Sequence, residues 1–346
     1  MSSRWLFPIL FTFFVLLGYS VSGFSADIFE AEPLVIEPLP KQVTDEGANR
    51  QAIFVDNNSI LYISSNRRYH SDPQIYFLDL KTGREKRVTY QRGQMINGLW
   101  LDKENKIIYA SSTDEDVETP PLLQPYLERK PASLDGPLFG LIPFNSMEIY
   151  VSKINGDDVQ RLTHNMGFDA FPAYSESDRK LYFSRLFQGH INIFTQSFNA
   201  AASAWRVVKT AGHDLGLQLS PDQNQFVWFR FSPDFKSSQI LLADAQLKNE
   251  TFLTLDSGIH WSPSWHPKAK RILFSAKRAP SSHYDIFEVD LEQGCERQLT
   301  DLQGDEFFPA VSPDGKTLMF TANFTGQEQI HQKPYVDSNC PSEETH

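Results

Sequence analysis

A short segment that ends in threonine recurs five times along the chain. Its copies end at Thr44, Thr89, Thr163, Thr254 and Thr300. The intervals between them are 45, 74, 91 and 46 residues. One period near 45 residues accounts for all four intervals if the third holds two units and the second holds one unit plus a 29-residue insertion. A period of that size, with short strands inside it, is typical of the blades of a β-propeller.

Each unit repeats the same order of strand and turn signals, and the last unit shows it most clearly. An apolar run at 308–311 leads through a Pro-Asp-Gly turn at 313–315 into runs at 317–321 and 329–332. Proline fixes φ and glycine tolerates positive φ, so these residues predict a tight hairpin between paired strands. Related segments begin near positions 53, 99, 171, 217 and 262, which makes six units.

The two ends of the chain complement each other. The last unit ends after its third strand, near Tyr335, whereas residues 39–44 resemble a fourth strand that has no blade of its own. Pairing this strand with the last blade would close the ring without a free edge. We therefore predict an all-β, six-bladed propeller of four-stranded antiparallel blades. An all-β sandwich, the alternative, does not predict a 45-residue recurrence.

The repeated Pro-Asp-Gly pattern resembles the TolB-like propeller repeat of bacterial periplasmic proteins. The resemblance covers residues 39–336 and implies that residues 169–172 and 305–309 lie near the central channel. TolB itself has an additional N-terminal α/β domain, for which this sequence leaves no room. The expected organisation is a propeller at 39–336 with an insertion at 113–146 in blade two, followed by a C-terminal tail at 337–346.

The first residues have the pattern of an export signal. Arg4 precedes an apolar run at 5–17, which is too short for a bilayer span of about 20 residues, and small and polar residues follow it. We expect a signal peptide at 1–25 and a linker at 26–38, hence a periplasmic or secreted protein without a transmembrane domain after cleavage. The alternative is an uncleaved segment that anchors the protein in the inner membrane. The net charge of −11 argues against nucleic-acid binding.

Six residues occupy one equivalent position when the blades are aligned on their turns. They are Asn49, Met95, Asp169, Asp214, His260 and Glu306. If they ring the channel mouth, the acidic residues and the histidine could hold a divalent cation such as Ca²⁺ or Mn²⁺. The alternative is that these side chains bond to the backbone where the strands begin.

Cationic residues form a second recurring set, after the second strand of each blade. They are Arg67, Arg185, Arg230, Lys277 and Arg278. Guanidinium groups that converge on one face suit a carboxylate or another anion. The alternative is that each one pairs with an acidic residue of the neighbouring blade.

The insertion and the two cysteines give two further expectations. The insertion at 113–146 is rich in proline and apolar residues, and it predicts a lid or a partner-docking element over the same face, or else a packed excursion. Cys295 and Cys340 are the only cysteines. In an oxidising compartment a disulfide between them would pin the C-terminal tail.

The function that this pattern favours is binding. The sequence has neither a Gly-x-Ser-x-Gly elbow nor a His-Glu-x-x-His helix. We expect an exported, non-enzymatic propeller that binds a protein or peptide partner in the bacterial cell envelope. The alternative is a metal-assisted lyase or hydrolase that acts on an acidic saccharide at the channel face, since some such lyases resemble this repeat family. A third possibility is a scaffold for another protein that supplies the activity.

Overall fold

The computed structural model describes residues 39–113, 147–165, 167–199, 202–324 and 326–337. Every regular element within these residues is a β-strand. No helix in this part of the chain is long and apolar enough to span a bilayer. The expected signal peptide and linker, and all but the first residue of both the insertion and the tail, lie outside the described residues.

Six groups of consecutive strands follow the short strand β1 (Lys41–Gln42). Blade one contains β2 (Ala48–Asp56), β3 (Ser59–Ser65), β4 (Gln74–Asp79) and β5 (Glu85–Arg87). Blade two contains β6 (Met95–Leu101), β7 (Lys106–Ser111), β8 (Glu148–Lys153) and β9 (Gln160–Arg161). Blade three contains β10 (Asp169–Ser175), β11 (Lys180–Phe187), β12 (His190–Ser197) and β13 (Trp205–Arg206). Blade four contains β14 (His213–Leu219), β15 (Gln225–Phe231), β16 (Ser238–Asp244) and β17 (Thr251–Phe252). Blade five contains β18 (Ile259–Trp265), β19 (Arg271–Lys277), β20 (Asp285–Asp290) and β21 (Cys295–Gln298). Blade six contains β22 (Glu306–Val311), β23 (Thr317–Ala322) and β24 (Gln329–Pro334).

Each blade is a four-stranded antiparallel sheet, and the N-terminal strand completes the last one. The order in blade six is β22-β23-β24-β1, with Lys41 opposite Gln332. The other five sheets follow chain order from the inner to the outer strand. The predicted six-bladed fold is therefore confirmed.

The recurring threonine joins the outer strand of each blade to the third strand. In blade one, the Thr89 hydroxyl accepts a hydrogen bond from the Ile75 amide at 2.9 Å and donates one to Gln74 Oε1 at 2.9 Å. Thr163, Thr254 and Thr300 likewise accept from Ile149, Ile240 and Ile286. Thr44 makes the same pair of bonds across the seam, to the Ile330 amide at 3.0 Å and Gln329 Oε1 at 2.8 Å. The repeat in the sequence thus reflects a repeated hydrogen bond.

Blade three, which lacks the threonine, explains the interval of 91 residues between Thr163 and Thr254. The equivalent position holds Val208, which is buried in an apolar cluster with Ile193 and Leu217. The valine replaces the hydroxyl with a methyl group of similar shape. This blade therefore keeps the backbone path of the repeat without its hydroxyl.

We expect that Thr44→Val lowers the free energy of unfolding by about 1–2 kcal/mol, because the Ile330 amide and Gln329 Oε1 lose their partner in a buried place. Val208 shows that the fold accommodates valine here. Urea unfolding checks the loss, and Thr89→Val, within blade one, is the matched control with a similar expected loss. Hydrogen exchange separates the two: only Thr44→Val should expose the amides of β1 and β24. Unchanged exchange in these strands would contradict a sealing role for Thr44.

Every inner strand contains a bulge at the same step. Its first residue has positive φ in all six blades: Gln51, Asn97, Phe171, Gly216, Ser262 and Phe308. The pairing of each inner strand with the second strand shifts register there. A bulge bends the strand and redirects the side chain of the extra residue. These six residues are called the bulge ring below.

Candidate functional site

The six ring positions predicted from the sequence are equivalent, but their side chains are buried. Each residue lies at or next to the start of its inner strand. All six are 0% exposed, including Asp169, Asp214, His260 and Glu306. A buried carboxylate needs a partner, because removal from water strongly disfavours the charged form. The partners explain why these residues recur.

In blades three and four, the partner is the arginine of the next strand. Arg185 holds Asp169 with two bonds, Nε to Oδ1 at 2.7 Å and Nη2 to Oδ2 at 2.5 Å. Arg230 Nε donates to Asp214 Oδ1 at 2.6 Å. In both blades the aspartate and arginine are direct neighbours in the strand ladder. These contacts make two buried ion pairs at the start of the inner strands.

Blade five uses a wider network. Arg278 bonds to Glu296 with Nη2 at 2.9 Å from Oε2, and its Nε lies 2.9 Å from Asp256 Oδ2. His260 Nε2 lies 3.1 Å from the same aspartate oxygen. Burial lowers the pKa of His260. The imidazole is therefore held neutral at neutral pH.

Blade one has an amide, Asn49, where blades three, four and six have a carboxylate. Arg67 donates to Glu85 at 2.6 and 2.9 Å and contacts Asn49 Oδ1 at 3.4 Å. Its guanidinium also lies 4.5 Å from the centre of the Tyr76 ring. Four of the predicted cations are thus paired with carboxylates.

Two sequence expectations about these cations can now be compared with the structure. The alternative to an anion site was that each cation pairs with an acidic residue of the neighbouring blade. That detail is wrong for Arg67, Arg185 and Arg230. Arg185 and Arg230 face a carboxylate of their own blade across the ladder, and Arg67 bonds to Glu85 of its own blade. Lys277 differs: it is exposed and lies 5.8 Å from the centre of the Tyr284 ring. An anion site on this face would require the carboxylates to be displaced, and it stays a prediction.

Glu306 lacks an arginine, because the position that corresponds to Arg230 is Ala322. Burial raises the pKa of Glu306 to about 9; the Thr300 hydroxyl opposes this shift and the Asp285 carboxylate reinforces it. Thr300 donates to Glu306 Oε2 at 3.0 Å. Glu306 is therefore protonated at neutral pH.

The four predicted metal ligands, Asp169, Asp214, His260 and Glu306, do not converge. They belong to four different blades, and within the described residues no three His, Cys, Asp or Glu side chains come together in a way that could hold a metal ion. Two are held by arginine, one is a neutral imidazole and one a protonated carboxyl group. This donor set does not fit the proposed Ca²⁺ or Mn²⁺.

A cavity of about 340 Å³ lies where the bulge ring surrounds the axis. The rest of its lining is mainly apolar, and its largest side chains are Tyr174, Phe229, Phe231 and Trp261. It also includes Pro221, an exposed residue in the hairpin between β14 and β15. Among the described residues, no Asp, Glu, Lys, Arg or His lines this cavity. In a chain of net charge −11, an uncharged concave surface is distinctive.

The bulge ring contains none of the residues predicted for the site, although the ranges 169–172 and 305–309, which the family resemblance placed near the channel, include Phe171 and Phe308. A signal was nevertheless present: Pro172, Pro263 and Pro309 each follow a bulge residue directly. Proline inside a strand pattern marks a bulge or an edge, since it cannot donate to the ladder. The aligned position two residues after each predicted ring residue would have identified the lining.

Two other expected features lie partly outside the described residues. Residues 114–146 of the insertion are outside them, so its role as a lid or docking element stays a prediction. Cys295 is disulfide-bonded. Cys340, the only other cysteine, lies outside the described residues, and the expected pairing remains a prediction.

Comparison with known proteins relates the chain to one kind of propeller. Residues 206–343 match the family model of the TolB beta propeller domain. An uncharacterized protein of Agrobacterium fabrum is 30% identical over 97 residues, which are 28% of this chain and 32% of that protein. A putative TolB from Agrobacterium tumefaciens superposes with a TM-score of 0.57 at 14% identity, over 85% of this chain and 92% of that one. An oligogalacturonate lyase in complex with manganese gives 0.52 at 12% identity, over 86% and 96%. At these identities, the two solved structures share the fold.

Proposed function

We propose that this chain, a TolB-like six-bladed propeller, binds a protein or peptide partner and that an uncharged, apolar segment of the partner occupies the central cavity. The observation that carries the proposal is the cavity lining, in which half-buried Phe171, Leu99 and Phe308 surround a space of about 340 Å³. Burial of apolar surface supplies about 25 cal/mol per Å². A concave apolar surface with a few polar groups is the usual form of a ligand site.

The lining also restricts the chemistry of the occupant. A charged group that enters a cavity without a counter-charge loses its hydration and gains no partner. The described lining offers only amides, hydroxyl groups, the Trp261 indole N–H and peptide groups as polar partners. A neutral segment of a polypeptide matches it.

The cell envelope is the proposed place of action. The support is the pattern of an export signal in residues 1–25 and the likeness to the TolB propeller domain. We propose a periplasmic or secreted protein that meets its partner there, with the apolar insertion at 113–146 as a second contact.

An acidic saccharide is a poorer match for this cavity. A uronate needs cations around its carboxylate, and the four predicted arginines already bond to carboxylates of their own blades. Turnover of oligogalacturonate, with and without added Mn²⁺, is measured by the ultraviolet absorbance of unsaturated products. Turnover would replace the binding proposal with the enzymatic one.

The test of binding is capture from an envelope extract of the source organism, with the purified propeller as bait. We expect that Phe308→Asp removes capture of the partner, because it places a charge in the cavity at a φ of 52° that aspartate tolerates. Phe252→Asp is the matched control, because Phe252 is 48% exposed on the outer strand β17. Thermal unfolding confirms that both variants fold. Capture that survives Phe308→Asp would contradict a role for the cavity.

A further inference from the structure

Hydrogen bonds connect the bulge ring from blade to blade. The amide of Asn97 donates to Gln51 Oε1 at 3.3 Å, and the amide of Phe171 donates to Asn97 Oδ1 at 3.4 Å. The amide of Phe308 donates to Ser262 Oγ at 3.3 Å. In each case, the acceptor is the bulge residue of the preceding blade. The bulge amide is therefore directed along the ring toward the blade before it.

Blade one obtains its acceptor from a second position. The amide of Gln51 donates to Thr321 Oγ1 at 3.0 Å, since the preceding bulge residue, Phe308, has no side-chain oxygen. Thr321 belongs to the second strand of blade six. Two positions of the preceding blade can therefore supply an acceptor, and four of the six bulge amides use one of them.

Neither position serves the amide of Gly216 in blade four. The preceding bulge residue is Phe171, which lacks an oxygen. The position that corresponds to Thr321 is Ser184, and its buried Oγ has no hydrogen-bond partner within the described residues. A side chain at Gly216 would press on the buried ring of Phe229, because a Cβ would lie 2.5 Å from Phe229 Cε1.

The amide of Ser262 in blade five is in the same situation. Its two candidate acceptor positions are Gly216 and Phe229, which have no side-chain oxygen. Two more polar atoms of lining residues in this blade, Trp261 Nε1 and Ser264 Oγ, are buried and have no partner in the described part of the chain. The two bulge amides and the Trp261 indole can only donate a hydrogen bond, whereas the Ser264 hydroxyl can donate or accept one. Within the described residues, the bulge amides of blades four and five thus lack the side-chain acceptor that the other four bulge amides have.

We infer that the sector of the cavity between blades four and five binds the backbone carbonyl oxygens of a neutral peptide segment, with the amides of Gly216 and Ser262 as donors. This inference rests on the proposed function and specifies what the site recognises. A carbonyl oxygen can take the place of the side-chain acceptor that these two amides lack. A carboxylate would satisfy them too, but the described lining has no cation to offset its lost hydration. Phe171 and Phe308 then pack against the apolar side chains on either side of the carbonyl.

The test uses a defined probe, acetyl-Leu-Pro-Phe-amide, and the protein labelled with ¹⁵N-glycine. We expect the Gly216 amide proton to shift downfield as the probe is added. Acetyl-Leu-Pro-Phe with a free carboxylate should bind at least about tenfold more weakly, because its charge enters an uncharged lining. Equal or tighter binding of the free acid would overturn the choice of a neutral ligand.

Phe171→Asn tests the donors directly. Asn97 occupies the equivalent position with φ 54°, against 53° for Phe171, so asparagine should place its Oδ1 on the Gly216 amide without strain. In this variant the Gly216 proton should be shifted before any probe is added, and affinity for the probe should fall about fivefold or more, as expected for one hydrogen bond. Phe171→Leu removes the ring but adds no acceptor, and it should retain affinity within about twofold.

Two results would overturn the inference: a probe that binds without a shift of Gly216, or Phe171→Asn and Phe171→Leu with equal affinity. Absence of probe binding would overturn it as well. None of these outcomes affects capture of the native partner or its sensitivity to Phe308→Asp, so failure of the inference is distinguishable from failure of the proposed function.

Discussion

Replacing Arg185 with methionine should lower the free energy of unfolding by about 3–5 kcal/mol, the usual cost of leaving a buried charge without its partner. Asp169 is fully buried, and Arg185 provides two of its hydrogen bonds. The carboxyl group of Glu148 adds a second negative charge near Asp169. Burial and the charge of Asp169 raise the pKa of Glu148 to about 7. Methionine retains the packing on Phe183 and Phe194, over which the guanidinium lies at 5.0 and 5.2 Å. Urea unfolding at pH 7 measures the loss.

Two controls separate charge from packing. The double variant Asp169→Asn, Arg185→Met removes the uncompensated charge and should recover part of the loss. Lys277→Met removes an exposed cation in blade five, two blades away, and should change the free energy of unfolding by less than about 0.5 kcal/mol. If Arg185→Met were as stable as Lys277→Met, the Asp169–Arg185 pair would not stabilise the blade.

The fold could be predicted because its signals are local and repeated. Turn residues act over four positions, and the recurring threonine repeats one hydrogen-bonding arrangement in five blades. Thr44 shows how a local signal defined a long-range feature. It lies 286 residues from Ile330 in sequence, yet the match between its segment and the other outer strands predicted the seam.

The site was harder to predict because recurrence does not define side-chain direction. Asp169 and Arg185 were assigned to two separate sets, one for a cation and one for an anion. In the ladder they are direct cross-strand neighbours, so opposite charges meet and neutralise each other. A one-residue change of register reverses the face to which a side chain points, and the sequence leaves that register open.

The bulges are the reason why the cavity lining was not predicted. Each adds one residue to the inner strand, so the residues that face the cavity do not follow the simple alternation of a strand. The chemistry of the bulge ring also varies, from Gln51 to Gly216 to Phe308, although φ is shared. A search for similar residues therefore misses a position at which the backbone conformation recurs in every blade while the residue type varies.

Replacing Glu306 with glutamine should change how stability depends on pH. The pKa of Glu306 is raised to about 9 in the folded protein, far above its ordinary value. The folded state therefore keeps a proton that the unfolded state releases, and this contribution to stability is complete below about pH 4.5 and is lost as pH rises toward 9. We expect the wild type to lose roughly 1 kcal/mol per pH unit between pH 6 and 8 from this group.

Glutamine cannot ionise, and the fold already uses an amide at the corresponding junction, where Asn49 Nδ2 donates to Gln329 Oε1 at 2.8 Å. Glu306→Gln should therefore flatten the pH profile and exceed the wild type in stability at pH 8 by about 1–3 kcal/mol, while differing little at pH 5. Urea unfolding across this range measures both slopes. Glu292→Gln, at a side chain that is 69% exposed, should leave the slope unchanged. Parallel profiles for the wild type and Glu306→Gln would mean that Glu306 is ionised in the folded protein, and its burial beside Asp285 would then need a cation to balance it.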